Sequence, residues 1–213
     1  TLSWRWVAGL QTQGKVYAAT ASNIHKFTDG RFHPGHGLTT NPAPLKGSDH
    51  PPRGPAPQGD LVNPDAPSVL VLHDDDLSPG FILDQGVNIR ATGFVQRTAW
   101  RTPLEMAPAV TKFVANLGTD CFERYGDKLG QTATLDITDV LDWAAGHGAH
   151  QIVTPFAPIG PNADMVRHLK HKAADRGMDV LAVMRPYDAM CWPHATHGFF
   201  RFKEHIPKLI EHL

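Results

Sequence analysis

Residues 151–184 read QIVTPFAPIGPNADMVRHLKHKAADRGMDVLAVM. Gln151 to Phe156 is a short apolar run of strand type. Asn162 to Arg176 carries Met165, Val166, Leu169 and Ala173 at helical spacing, so that they share one face. Gly177 stops that helix, and Asp179 to Met184 is apolar again. Strand, helix and strand in so short a stretch make a βαβ unit, because parallel strands need a long crossover where antiparallel ones need only a turn. The unit predicts a parallel sheet covered by helices.

Outward from this unit the same pattern continues. Ser68 to Leu72 (SVLVL) is a continuous apolar run, the mark of a strand buried on both faces, and it ends in His73, Asp74, Asp75 and Asp76. A second strand is expected over Val87 to Ala91, after a turn at Ser78, Pro79 and Gly80. Leu104 to Arg124 has the longest helical pattern, with Val110, Phe113, Val114, Leu117 and Cys121 three and four residues apart. Another helix is expected from about Thr138, with Asp136 or Thr138 as cap, to Gly146 or Gly148. The last part of Phe199 to Leu213 reads as helical despite Pro207. Residues 68–213 are therefore expected to form one α/β domain with a parallel sheet of at least four strands.

Upstream the composition changes. His33 to Pro67 holds nine prolines and five glycines with few aliphatic side chains, so it reads as an extended linker without regular structure. Residues 1–32, with Trp4, Trp6, Tyr17 and a helical stretch around Ala21 to Phe27, have too little apolar surface to fold alone. The chain opens on Thr1 inside an apparent motif, and an N-terminal portion is expected to precede it in the full-length protein.

With 213 residues, 41% of them hydrophobic, the chain can bury a core, and a net charge of −1 excludes a protein that is basic throughout. A local basic patch for nucleic acid remains compatible with that balance. Cys121 and Cys191 lie far apart without zinc spacing, so neither a disulfide framework nor a structural metal is indicated, and a cytoplasmic location is expected. Apolar runs are too short to span a membrane.

Four groups of residues bear on chemistry. Thirteen histidines include several pairs spaced by three, among them His168 and His171, yet no pair has a third ligand nearby, and they read as exposed polar residues rather than a metal site. Asp74, Asp75 and Asp76 leave a strand at the carboxyl edge of the sheet, where open α/β folds bind ligands. They read either as a cation or ribose site or as a solvated loop capping the next helix. Thr154 leaves on the same edge, so Asp74 and Thr154 mark the expected pocket. No Gly-rich phosphate fingerprint follows either strand. Trp4 and Trp6 flank Arg5, and on residue type alone they read as core packing.

The whole run Leu2-Ser3-Trp4-Arg5-Trp6-Val7-Ala8-Gly9, followed by Asn23-Ile24-His25-Lys26-Phe27, resembles the segment beside the flavin in DNA photolyases and cryptochromes. The match covers about the first 32 residues. It implies that residues 1–32 are the C-terminal end of a helical FAD-binding domain, 33–67 a linker, and 68–213 a Rossmann-like α/β domain similar to the family's antenna domain in permuted order. Trp4 would then match the tryptophan that passes electrons to the flavin. Trp6 would match the one lining the pocket for a flipped-out pyrimidine dimer. The resemblance implies FAD as cofactor, dimer-containing DNA as partner, and light-driven carbon–carbon lyase chemistry, with the flavin contacts upstream and the isolated chain inactive. A blue-light receptor of cryptochrome type shares the same segment, and a plain α/β nucleotide-binding module is the reading that treats the tryptophans as incidental.

Overall fold

The computed structural model describes residues 18–211 apart from 39, 40, 42, 48, 50, 51, 53 and 197. The chain divides between Gly54 and Pro55 into two compact units. In the first, α1 (Ala21–Phe27) starts at Thr20, whose hydroxyl accepts the Asn23 N–H at 3.2 Å as an N-cap should.

The second unit is a parallel α/β domain. Its elements run β1 (Ser68–His73), α2 (Gly80–Leu83), β2 (Ile89–Val95), α3 (Pro108–Tyr125), β3 (Gln131–Leu135), α4 (Val140–Gly146), β4 (Gln151–Pro155), α5 (Pro161–Ala174) and β5 (Asp179–Val183). Three short helices, α6 (Pro186–Cys191), α7 (Phe199–Phe202) and α8 (Ile206–Ile210), close the chain. The sheet order is β3-β2-β1-β4-β5, with every neighbouring pair parallel. This is the Rossmann-like α/β class expected from residues 151–184.

Alternation along β1 builds two cores. Val69 and Val71 pack on one face with Ile152, Met165, Leu169 and Ala173, under α4 and α5. Leu70 and Leu72 pack on the other with Ile82, Phe94, Cys121 and Val153, under α2 and α3. All six residues of β1 are buried, as befits a central strand covered on both sides.

Several element boundaries differ from the sequence reading. The second strand runs on to Val95 through Gly93, a residue that by propensity discourages a strand interior. β3 was not expected: it is an edge strand whose Gln131, Thr132 and Thr134 are exposed, so it lacks the apolar run that marks its neighbours. Pro108, suited to a first helical turn, starts α3 four residues later than the periodicity implied.

The described residues of 33–67 form neither helix nor strand, and the stretch from Pro55 belongs to the second unit. Asp60 donates its N–H to the Ala182 carbonyl at 2.8 Å, and its carboxylate accepts the Ala182 N–H at 2.8 Å and Lys170 Nζ at 2.5 Å. These bonds occupy groups on the free edge of β5, which would otherwise be an open template for another strand. At Gly59 a Cβ would lie 2.5 Å from the Met184 backbone nitrogen, so only glycine allows this approach.

Candidate functional site

In an open parallel sheet the crevice for ligands lies at the carboxyl ends of the strands where the chain order reverses. Here the order reverses between β1 and β4. His73, the last residue of β1, is fully buried and joins the two strand ends: its Nε2 lies 3.0 Å from the Pro155 carbonyl, and its Nδ1 accepts the Asp75 N–H at 3.3 Å. Those two partners assign the ring proton to Nε2.

Asp74 is the hub of this edge. Its side chain is 2% exposed, and it accepts from Thr98 Oγ1 at 2.7 Å and from Asn162 Nδ2 at 2.8 Å, with Arg101 at 3.4 Å. Thr98 belongs to the turn after β2 and Asn162 to the first turn of α5, so one carboxylate ties three loops together. Burial alone would raise its pKa. The bonds from Asn162 and Thr98, with the charge of Arg101, more than offset burial and hold the carboxyl below the usual carboxylate range.

The neighbouring aspartates are also engaged. Asp75 pairs with Arg101 at 2.5 Å, and Asp76 pairs with Arg185 at 2.6 Å, whose guanidinium lies 4.4 Å from the Phe81 ring. The acidic run is thus a set of structural acceptors. Among the described residues no group of three or more His, Cys, Asp or Glu is placed to hold a metal ion.

Among the described residues, one cation at this edge has no such side-chain partner. Arg97, two residues beyond β2, is 8% exposed, and its guanidinium carbon sits over the Trp100 ring, 4.2 Å from the centroid. Its Nε is buried without a hydrogen-bond partner. Burial pushes its pKa down, against the opposing pull of Asp136, Asp74 and Asp164. The fully buried Asn162 likewise has an unpartnered Oδ1, because its amide nitrogen is turned to Asp74.

Of the residues read as a pocket from sequence, Asp74 lies at the switch point. Thr154 is buried in β4, and its hydroxyl reaches only the adjacent Pro155 carbonyl, at 3.5 Å. No hydrogen bond joins it to Asp74 among the described residues; Asn162 holds that place. Thr98, Arg101, Arg97 and Asn162 escaped the sequence reading. The available signal was positional, since Asn162 follows Pro161 at the start of the helix after β4, where side chains meet the end of β1. Trp4 and Trp6 lie outside the described residues. The second half of the tryptophan-containing match, Asn23 to Phe27, falls in α1, with Phe27 exposed.

The class defined by this fold and edge is a parallel α/β domain with a polar switch point. No protein-family model matches the chain, and no curated protein does. A solved structure of N,N'-diacetylchitobiose deacetylase from Pyrococcus horikoshii, in complex with an inhibitor, is similar over 70% of this chain and 79% of its own, at 15% identity and a TM-score of 0.34. A likeness at that level carries no argument about function.

Proposed function

We propose that this chain is part of a photolyase-type flavoprotein that repairs pyrimidine dimers in DNA with light. The observation that carries the reading is the run Leu2 to Gly9 around Trp4-Arg5-Trp6, together with Asn23 to Phe27. A parallel α/β unit accompanying a flavin domain is in keeping with it.

Asp74 is nearly buried and already accepts from Thr98, Asn162 and Arg101, and no Gly-rich turn opens the helix after β1 or β4. The reading therefore assigns the flavin contacts to residues upstream. Bound FAD would supply the electron transfer that splits the dimer. To this chain's own residues fall the electron-relay position, Trp4, whose indole is readily oxidised, and the stacking position, Trp6, whose flat apolar face suits an extruded pyrimidine dimer.

The test is made on the full-length protein. It should purify with about one FAD per chain, and under blue light it should remove cyclobutane dimers from an irradiated oligonucleotide. Purification without flavin, and no uptake when FAD is added, would overturn the proposal. Flavin without repair would move the protein to the receptor branch of the same family.

A further inference from the structure

We propose that the carboxyl edge of the sheet in the α/β unit is a binding site for a phosphorylated planar ligand, with Arg97 taking the phosphate and Trp100 stacking on the ring. The inference is independent of the flavin reading, because it rests only on residues of the second unit.

Charge accounting at the edge singles out Arg97. Asp74 accepts from Thr98, Asn162 and Arg101; Asp136 accepts from Thr138 at 3.0 and 2.9 Å; Asp164 pairs with Arg167 at 2.7 Å. These are the three carboxylates whose fields reach Arg97, and each has a donor of its own. The Arg97 side chain makes no ion pair or hydrogen bond among the described residues, although the residue is only 8% exposed and its Nε is fully buried. A guanidinium whose Nε is withdrawn from water without an acceptor is costly, and natural interiors rarely retain one. A ligand anion would supply the missing acceptor, in the bidentate geometry that guanidinium and phosphate share.

Two further features converge there. The first turn of α5 opens on Gly160, which has no side chain to cap it, so its amides point to the edge with the positive end of a fourteen-residue helix. Asn162, in that turn, keeps a fully buried, unpartnered Oδ1 that is ready to accept a donor from a ligand. Trp100 supplies the remaining recognition. Arg97 covers one face of its indole, yet the residue is 67% exposed, and a large aromatic left open beside a buried cation is a platform for a planar ring. The location agrees, since the strand order reverses between β1 and β4.

The experiment titrates AMP and inorganic phosphate separately into the 213-residue chain by calorimetry. The wild-type protein should bind both saturably, AMP about tenfold more tightly because only AMP can stack. Arg97→Gln should weaken both by about tenfold or more. Trp100→Ala, a change at an exposed side chain that should leave the fold intact, should bring AMP down to the affinity of phosphate. Absence of saturable AMP binding to the wild type would overturn the proposal. So would a Trp100→Ala protein that still prefers AMP over phosphate, whether or not Arg97→Gln folds.

Discussion

Helices α3 and α5 carry similar apolar periodicity in the sequence, yet they use it differently. On α5 the stripe of Met165, Val166, Leu169 and Ala173 is buried against the sheet, as helical spacing implies. On α3 the residues that face the sheet are Gly118 and Cys121, with Val114, Phe122 and Tyr125 at the margin, while Val110, Phe113 and Leu117 are exposed. The difference lies in what each helix must accommodate. Phe94 rises from β2 beneath α3, and a Cβ at Gly118 would lie 2.5 Å from its ring, so the glycine side of the helix has to turn inward. Periodicity thus specifies that a helix forms, and the partner surface specifies which side is buried.

The sharpest way to break this contrast is a truncation on each helix, read by chemical denaturation. Leu169→Ala on α5 removes a side chain that is buried against the sheet and should cost about 2–5 kcal/mol. A loss under 1 kcal/mol would mean that the α5 face is not packed as described.

Next in size is Asp74→Asn, which replaces the carboxylate that holds α5 and the β2 turn to the end of β1. Loss of its charge-assisted bonds should cost about 1.5–3 kcal/mol at neutral pH. Because the native pKa lies below the ordinary value, Asp74 stabilises the fold above the unfolded carboxyl pKa of about 3.9 and loses that contribution as pH falls through its native value. Stability curves of wild type and variant should therefore converge in acid. Curves that stay parallel down to the lowest accessible pH would contradict the assignment.

Gly118→Ala tests the other helix. The new methyl meets the Phe94 ring and should destabilise by about 1–3 kcal/mol, although alanine is the better helix former. A stabilised variant would show that the ring yields freely. The smallest effect belongs to Phe113→Ser, at a site 62% exposed, where the change should stay within about 0.5 kcal/mol. A large loss there would mean that the outer face of α3 is covered in solution.

Much of the fold is readable in the sequence because parallel strands announce themselves by unbroken apolar runs. Ser68 to Leu72, Gln151 to Phe156 and Asp179 to Met184 all became strands, and the helix between the last two lies where its spacing put it. β3 was hidden because an edge strand needs little apolar surface, and Gln131-Thr132-Ala133-Thr134 looks like loop. The role of Asp60 was hidden for a different reason. Inside a proline-rich run a single aspartate gives no sign that it will pair with Ala182, more than a hundred positions away in the chain. At the switch point, Asp74 could be placed from the strand that precedes it. Its partners Thr98 and Asn162 could not, since they come from separate loops and are brought together only by the strand order.

Flavin photoreduction in the full-length protein tests the electron-path role proposed for Trp4 most directly. Trp4→Phe keeps an aromatic filler but removes the easily oxidised indole, so blue-light reduction of bound FAD, followed by transient absorption, should slow markedly while the flavin content stays at wild-type level. Trp6→Ala serves as the control: it should leave photoreduction intact and weaken binding to dimer-containing DNA by about 1–3 kcal/mol. Photoreduction of the Trp4→Phe protein at the wild-type rate would contradict the assignment of Trp4 to the electron path and, with it, the proposed family reading.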